Sequence, residues 1–163
     1  MTQLPIDVQK LDHVAFATWD ATPHVRLLTD ILGAEFVDGG DDVGPGFRWL
    51  QFRLPQGGKI EIIEPLSRDG FLYRFLMKHG EGMHHVTVYV KDLATAVEQL
   101  RAAGYDPVDV NLAHPSWKEA FLSPRECSGV LIQLAQVPDP ERPNPSMKPL
   151  DEYLADRPNL KPD

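Results

Sequence analysis

The feature that most constrains this 163-residue chain is an internal repeat. The segment LDHVAFATWD, residues 11–20, aligns with MHHVTVYVKD, residues 83–92, and places His85 on His13. Self-similarity of this kind indicates that one supersecondary unit occurs twice. We therefore predict a fold built from two copies of the same module.

Each copy reads as one strand, one helix and three further strands. Pro23 at the first helical position and Gly33 at the end mark a helix after the first strand, with Thr22 as its cap. Asp92 and Gly104 mark the corresponding helix of the second copy. The remaining extended runs are residues 34–37, 47–54 and 59–64 in the first copy and 105–110, 119–122 and 130–135 in the second. Both halves are therefore predicted to be βαβββ modules.

The repeat divides the chain into five predicted segments. They are an N-terminal extension (1–10), a first module (11–66), a linker helix (67–82), a second module (83–136) and a proline-rich tail (137–163). The linker has apolar residues at helical spacing, and we expect its helix to pack on the outside of a sheet. Seven of the fifteen prolines lie in the tail, which we expect to be extended or disordered, or to lie across a partner subunit.

Composition and charge exclude several classes of protein. No apolar run approaches the roughly 20 residues that cross a bilayer, and the N-terminus lacks the features of a signal peptide, so we expect a cytoplasmic protein with no membrane partner. The formal net charge of -8 and the absence of a basic stripe argue against nucleic acid as a partner. A single cysteine, Cys127, can form neither an intramolecular disulfide nor a CxxC pair. Any metal must therefore be held by nitrogen and oxygen ligands.

Strand alternation separates one polar side chain of each key strand from its apolar neighbours. Successive strand residues point to opposite faces of a sheet. His13 therefore opposes Val14 and Phe16, and Glu61 opposes Ile60 and Ile62.

The second half has the same phase. His85 opposes Val86, and Gln133 opposes its apolar neighbours. Residue 61 follows residue 13 by 48 positions, and residue 133 follows residue 85 by the same number. Two duplicated modules closed about a pseudo-two-fold axis would bring these four side chains together.

Two imidazoles, one carboxylate and one amide oxygen form a donor set that suits a divalent transition metal such as Zn²⁺, Co²⁺, Ni²⁺, Mn²⁺ or Fe²⁺. The alternative is a sheet with one face in water, which alternates polar and apolar residues without any metal. For any single residue that alternative is the commoner explanation. The matching register of all four residues favours a metal site.

Four segments carry a resemblance to a known family. They are LDHVAFATWD, KIEIIEPL, FLMKHGEGMHHVTVYVKDL and FLSPRECSGVLIQLAQ, which together span most of residues 11–136. They resemble the vicinal oxygen chelate (glyoxalase/bleomycin-resistance) superfamily, and among its branches they are most similar to methylmalonyl-CoA epimerase. The resemblance implies an α+β fold in which two βαβββ modules form an open, cup-shaped mixed sheet around a divalent metal.

By position, the metal ligands of that superfamily fall on His13, Glu61, His85 and Gln133. In the relatives the metal binds two substrate oxygens and stabilises an enolate-like intermediate while glutamates move the proton. The last-strand glutamate of the epimerases, a ligand and a base, is Gln133 here, and an amide cannot accept the proton. The other base of the epimerases falls near residues 47–49, where no carboxylate stands. We therefore assign the proton transfer to Glu61, as both metal ligand and base.

Four further residues are candidate substrate contacts. Trp49 and Tyr89 are placed to line the cup, while His114 and Lys118 belong to the region before the sixth or seventh strand, where relatives contact substrate. Ordinary packing also explains the two aromatic residues, and a solvated loop also explains the other two.

The leading functional hypothesis is a metal-dependent isomerase or lyase of the glyoxalase-like type. It would catalyse enolisation-type proton transfer on an oxygen-chelating small molecule, for example an acyl-CoA thioester, and we expect it to form a homodimer. A second hypothesis is an Fe(II)-dependent dioxygenase or lyase that uses two histidines and Glu61. A third is a non-catalytic protein that sequesters drugs, which needs no ligand residues.

Overall fold

The computed structural model describes residues 5–141 and 148–162. Within them, eight strands form one mixed sheet. The strands are β1 (Val8–Ala17), β2 (Glu35–Asp42), β3 (Phe47–Arg53), β4 (Lys59–Pro65), β5 (Gly82–Val90), β6 (Val108–Asn111), β7 (Lys118–Leu122) and β8 (Leu131–Gln136). The helices are α1 (Thr22–Arg26), which continues as a π-helical segment (Leu27–Ile31), α2 (Phe71–His79), α3 (Leu93–Ala102) and α4 (Leu150–Ala155).

The strand order contains the repeat. The strands lie in the order β2-β3-β4-β1-β5-β8-β7-β6. β3 pairs antiparallel with β4, β7 pairs antiparallel with β8, and β5 pairs parallel with β8. In each half, the first strand is next to the fourth, the fourth to the third and the third to the second. The same connectivity therefore occurs twice, and the fold class predicted from the repeat is confirmed.

The chain divides into two compact units, which we name after their helices. The α1 unit is Val14–His84 with Pro143–Asp163, and the α3 unit is Met1–His13 with His85–Arg142. Each unit has its own apolar core. The division falls within β1 and β5, so these units do not coincide with the sequence modules, whose boundaries stay a prediction.

The main core of the α1 unit lies between its first helix and one side of its strands. Val25 and Leu28 are three residues apart and so project from the same side of the helical segment. They pack with Leu50, Phe52 and Ile62, which are at most 2% exposed. We call this side of β2, β3 and β4 the α1 face.

Helix α2 covers the opposite side of the same strands. Leu72 and Leu76 are buried with Ala17 and Ile63. Because side chains alternate along a strand, Ile63 lies on the same side of β4 as Glu61. The predicted linker helix is present, and it packs on the side of β4 that also carries Glu61. Amphipathic spacing shows that a helix has a buried side and does not show which face of the sheet it covers.

The proline-rich tail contains a helix that packs on its own unit. Tyr153 of α4 is 1% exposed within the α1 core. Its hydroxyl donates to the carbonyl of Gly39 over 2.8 Å, and Arg48 donates to the carbonyl of Tyr153. The expectation of an extended or disordered tail is therefore wrong for residues 150–155, because a buried aromatic ring holds the helix in place. Residues 142–147 of the predicted tail lie outside the described residues.

The core of the α3 unit lies between its helix and the strands of the second half. Leu93 and Val97 of α3 pack with Leu134 of β8. Asp92 accepts a hydrogen bond from the backbone N–H of Thr95 over 2.8 Å. The predicted helix cap is confirmed.

Several element boundaries differ from the predictions. β1 begins at Val8, inside the predicted N-terminal extension, and β2 continues to Asp42. The cap of α1 is Ala21, so the predicted cap Thr22 is wrong by one position. In the part of the chain that the structure describes, no helix has the length and apolar character needed to cross a membrane.

Candidate metal centre

His13 is held in one orientation by its neighbour in the chain. It lies on β1 and is 2% exposed, and its Nδ1 lies 2.8 Å from Oδ2 of the buried Asp12. An ionised carboxylate only accepts hydrogen bonds, so this contact assigns the N–H to Nδ1 and makes Nε2 the nitrogen that can bind a metal. Metal-binding histidines commonly donate their other ring nitrogen to a carboxylate in this way.

His85 lies close to His13 in the α3 unit. It is buried on β5, and the two ring centroids are 5.5 Å apart with the rings 74° from parallel. The adjacent His84 has a different environment, because its ring centroid lies 4.6 Å from that of Phe75 on α2. Burial lowers the pKa of His84 to about 4, so this imidazole is neutral at pH 7. Its packing is that of a structural residue.

Thr87 links His13 to Gln133. It is fully buried and stands directly opposite Gln133 in the parallel pair of β5 and β8. Its hydroxyl donates to Oε1 of Gln133 over 2.6 Å and lies 2.9 Å from Nε2 of His13. The amide nitrogen of Gln133 donates to Oε2 of Glu119 over 2.8 Å. Its amide oxygen is thereby held on the Thr87 side.

Three polar atoms meet at this point of the α3 unit: Nε2 of His13, Oγ1 of Thr87 and Oε1 of Gln133. An imidazole nitrogen and an amide oxygen are both donors that divalent transition metals accept. The residues present therefore fit a divalent metal.

Glu61 is the carboxylate at the predicted ligand position of the α1 unit. It is 6% exposed and lies on the side of β4 away from the α1 face. Gln51, directly opposite on β3, donates to Oε2 of Glu61 over 2.7 Å, and Lys59 donates to Oε1 of Gln51 over 2.9 Å. These bonds fix the orientation of the carboxylate.

A second buried carboxyl lies in the same row of paired residues. Asp38 on β2 stands opposite Gln51, which stands opposite Glu61. Burial, with a smaller effect of the Glu61 carboxylate, raises the pKa of Asp38, and the N–H of Gly39 and the ammonium of Lys59 lower it; the net pKa is about 6. Asp38 therefore carries its proton in part of the population near pH 6.

His13, Glu61 and His85 are all buried, the two histidines in the α3 unit and the carboxylate in the α1 unit. Two imidazoles and one carboxylate are a common donor set for divalent transition metals. In the α3 unit, Gln133 is joined to His13 through Thr87. The ligand set predicted from the sequence stays a prediction.

The family model described as Glyoxalase/Bleomycin resistance protein/Dioxygenase superfamily matches residues 12–121. The chain belongs to this superfamily. This agrees with the fold class predicted from the repeat.

The related members of the superfamily include epimerases. The mitochondrial methylmalonyl-CoA epimerase of Homo sapiens is 30% identical over 131 residues, which cover 78% of this chain and 74% of that protein. The ethylmalonyl-CoA/methylmalonyl-CoA epimerase of Cereibacter sphaeroides is 29% identical over 134 residues, covering 80% and 99%. The crystal structure of methylmalonyl-CoA epimerase from Mycobacterium tuberculosis matches with a TM-score of 0.73 and 26% identity, covering 85% of this chain and 95% of that one.

This member of the superfamily has no carboxylate in residues 47–49, and the structure shows what replaces it. Arg48 is 1% exposed on the α1 face, where its Nε donates to Oδ1 of Asp41 over 2.6 Å. Its Nη1 lies 3.5 Å from Oε1 of Glu64. Trp49 lies on the opposite side of β3 and packs against the cluster that contains Leu72 and Leu76 of α2. Arg48 thus belongs to the anchor of the C-terminal helix, away from Glu61.

The other predicted substrate contacts lie in the α3 unit. Tyr89 is buried, and its ring centroid lies 6.2 Å from that of Trp117. Lys118 begins β7 and is half-buried. His114 is exposed, with Nδ1 3.1 Å from the hydroxyl of Ser116. Their contact with a substrate stays a prediction.

Three polar residues of this region were not predicted from the sequence: Thr87, Glu119 and Asp38. Thr87 had a usable signal, since it is two residues from His85 and therefore shares its side of the strand. Glu119 had none, because its place depends on the pairing of β7 with β8. Asp38 was missed because the predicted second strand ended one residue before it.

Proposed function

We propose that the protein is a divalent-metal-dependent enzyme that catalyses enolisation-type proton transfer, as an epimerase or isomerase, on a small acyl-CoA thioester. The observation that carries this proposal is the buried histidine pair of the α3 unit, His13 and His85, in which Asp12 selects the metal-binding nitrogen of His13. Relatives that are 30% and 29% identical bear the names of methylmalonyl-CoA and ethylmalonyl-CoA epimerases, which supports the thioester class.

The metal would be held by His13, Glu61, His85 and the amide oxygen of Gln133. Nitrogen and oxygen donors of this kind accept Co²⁺, Zn²⁺, Ni²⁺, Mn²⁺ or Fe²⁺. When bound, the cation supplies a Lewis acid that stabilises negative charge developing on a carbonyl oxygen of the substrate. The residues of the chain supply everything else: they orient the substrate and move the proton.

Glu61 is the group that accepts the α-proton of the substrate in this proposal. Its carboxylate can take a proton, whereas the amide at position 133 cannot. Gln51 holds Oε2 of Glu61 over 2.7 Å, so the base is already oriented before substrate binds. Preorganised general bases typically contribute about 10²- to 10⁴-fold in rate.

Substrate recognition is assigned to the α3 unit. Tyr89 and Trp117 offer a paired aromatic surface for an acyl group. The net charge of -8 does not favour a polyanionic CoA moiety, so a local basic patch must offset it. Arg101, Lys118 and Arg125 are the candidates for that patch.

The test is the Glu61→Gln variant in D₂O with the separate epimers of methylmalonyl-CoA. The amide keeps an oxygen donor for the metal but loses the basicity. We expect metal content close to that of the unsubstituted protein, and deuterium incorporation reduced by about 100-fold or more for at least one of the two epimers. The exposed Glu98→Gln is the matched control. Unchanged deuterium incorporation into both epimers in Glu61→Gln would remove Glu61 from the mechanism.

A second candidate function uses the same donor set. Two histidines and one carboxylate also bind Fe(II) in oxygenases, so the predicted ligands His13, Glu61 and His85 also suit an Fe(II)-dependent dioxygenase or lyase. Elemental analysis of the natively purified protein, followed by measurement of O₂ uptake, separates the two. Iron together with substrate-dependent O₂ uptake favours the oxygenase, and deuterium exchange without O₂ uptake favours the isomerase. A homodimer and a cytoplasmic location stay predictions.

A further inference from the structure

We propose that Glu119 is a second proton-transfer residue of the reaction. It lies in the second half of the chain, where the predicted ligand position is occupied by the amide of Gln133. This inference rests on the proposed function, since it concerns how a proton is returned to the substrate after Glu61 has removed one. Nothing in the sequence pattern singles Glu119 out; the strand register and the hydrogen bonds do.

The contacts of Glu119 place it beside the candidate metal ligand Gln133. Its Oε2 accepts hydrogen bonds from Nε2 of Gln133 over 2.8 Å and from Nε1 of Trp117 over 2.9 Å. Phe121 pairs directly with Gln133 between β7 and β8, and Glu119 is two residues from Phe121. Glu119 and Gln133 therefore share one side of the sheet.

The two halves of the fold hold one carboxylate–amide pair each, with the roles exchanged. In the first half, the carboxylate Glu61 is at the ligand position of β4 and the amide Gln51 is on the neighbouring strand. In the second half, the amide Gln133 is at the ligand position of β8 and the carboxylate Glu119 is on the neighbouring strand. Each half therefore contributes one carboxylate that is fixed by a side-chain amide.

The strand register gives Glu119 an equivalent position in the first half. Glu119 pairs with Ala135, which is two residues after Gln133. In the first half, Trp49 pairs with Ile63, two residues after Glu61. Position 119 therefore corresponds to position 49. The carboxylate that is lacking around residue 49 is present at the equivalent place of the other module.

Inversion at a carbon atom explains why a second group is needed. A proton must leave one side of the α-carbon and another must arrive on the opposite side. Glu61 takes the α-proton as the C–H electron pair forms the enolate and the carbonyl π electrons move to oxygen. Protonated Glu119 then breaks its own O–H bond and donates that proton to the α-carbon as the carbonyl re-forms. At the end of the reaction Glu61 has gained one proton from the α-carbon and Glu119 has given another proton to it. The other epimer reacts in the reverse direction.

The structure also suggests the atom that reacts. Among the described residues, both hydrogen bonds that Glu119 accepts end on Oε2. These bonds hold the carboxyl plane, and we assign the proton transfer to Oε1. Glu119 is partly exposed, so it can exchange its proton with water between turnovers.

A positioning role alone is the competing explanation, because Glu119 also orients the amide of Gln133. Glu119→Gln separates the two roles, since its amide oxygen still accepts from Gln133 and Trp117 but cannot act as an acid or base. Glu119→Ala removes both roles. The exposed Glu98→Gln controls for loss of one negative charge in the same unit.

The experiment uses metal-loaded protein, each epimer of methylmalonyl-CoA separately, and D₂O. We expect Glu119→Gln to invert either epimer about 100-fold more slowly or worse. It should still incorporate deuterium into the epimer whose proton Glu61 removes. Its Co²⁺ dissociation constant and visible Co²⁺ spectrum should match those of the unsubstituted protein, whereas Glu119→Ala should alter the spectrum.

Three outcomes would contradict the role of Glu119 or the proposed function, and the measurements distinguish them. Inversion by Glu119→Gln within a few-fold of the unsubstituted rate overturns the role of Glu119 and leaves the proposed function standing. Loss of deuterium exchange from both epimers, together with an altered Co²⁺ spectrum, reduces Glu119 to a positioning residue. Absence of exchange and inversion in the unsubstituted protein overturns the proposed function and the role of Glu119 together.

Discussion

The carboxylate of Asp12 lies 2.8 Å from Nδ1 of His13, although the two residues are adjacent on one strand. This contact decides which ring nitrogen of His13 is available to a metal. Removing such a carboxylate from a metal-binding histidine typically lowers metal affinity by about 10- to 100-fold.

Asp12→Asn should therefore weaken Co²⁺ or Zn²⁺ binding by about 10- to 100-fold, because a neutral amide holds the N–H of the imidazole less firmly. Competition with a chelator of known affinity measures the change. Asp7→Asn, at an exposed residue of the same unit, is the control and should bind as the unsubstituted protein does. Equal affinity in Asp12→Asn would show that the Asp12–His13 contact has no part in metal binding.

His13→Ala should abolish stoichiometric metal binding, because the buried site loses one of its two imidazoles. Metal content after dialysis, measured by elemental analysis, checks this. His114→Ala is the control for a histidine of the same unit that is exposed. If both variants retain one metal per chain, the metal lies elsewhere.

The raised pKa of Asp38 predicts that the stability of the protein depends on pH. Its pKa of about 6 in the folded protein lies above the ordinary value of 3.8 for an aspartate. Folding therefore favours the protonated form of Asp38. Its contribution to the free energy of unfolding is fully present below about pH 4 and is lost as the pH rises through 6. A shift of about two units corresponds to roughly 3 kcal/mol.

Asp38→Asn keeps an acceptor for the N–H of Gly39 and removes the charge. Relative to the unsubstituted protein, its free energy of unfolding should rise by up to about 3 kcal/mol between pH 4 and pH 8. Urea unfolding at both pH values measures this. Asp42→Asn, at an exposed residue of the same strand, is the control. The same difference at both pH values would contradict a raised pKa of Asp38.

The burial of Tyr153 predicts that helix α4 stabilises the fold. Its ring is 1% exposed, so Tyr153→Ala should lower the free energy of unfolding by about 3 to 5 kcal/mol. Tyr153→Phe removes only the hydrogen bond to Gly39 and should cost about 1 kcal/mol. Tyr105→Ala, at a ring that is 44% exposed, is the control. A small effect of Tyr153→Ala would mean that the helix detaches in solution.

Strand alternation predicted from the sequence which side chains share a face. Glu61 lies on the side of β4 away from the core that contains Ile62, as alternation predicts, and His13 and His85 are buried near each other in the α3 unit. Their role as metal ligands stays a prediction. Thr87 followed the same rule and was overlooked, because a lone threonine in a strand is more often a packing residue.

The residues that the sequence did not predict depend on contacts between distant segments. Glu119 reaches Gln133 because β7 pairs with β8 in one register, and that register is set by the whole sheet. Tyr153 lies in the α1 core more than one hundred residues after Phe52, and a single aromatic residue in a proline-rich segment has no periodic signal.

The sequence by itself determined the duplicated βαβββ module, its helices and the polar side of each strand, because these features depend on spacing between near neighbours in the chain. Only the tertiary structure decided which face α2 covers, how Asp12 orients His13, and which carboxylate accompanies the amide of Gln133. Those features depend on strand register and on side-chain packing. Neither can be read from local periodicity, since both are fixed only when distant segments meet.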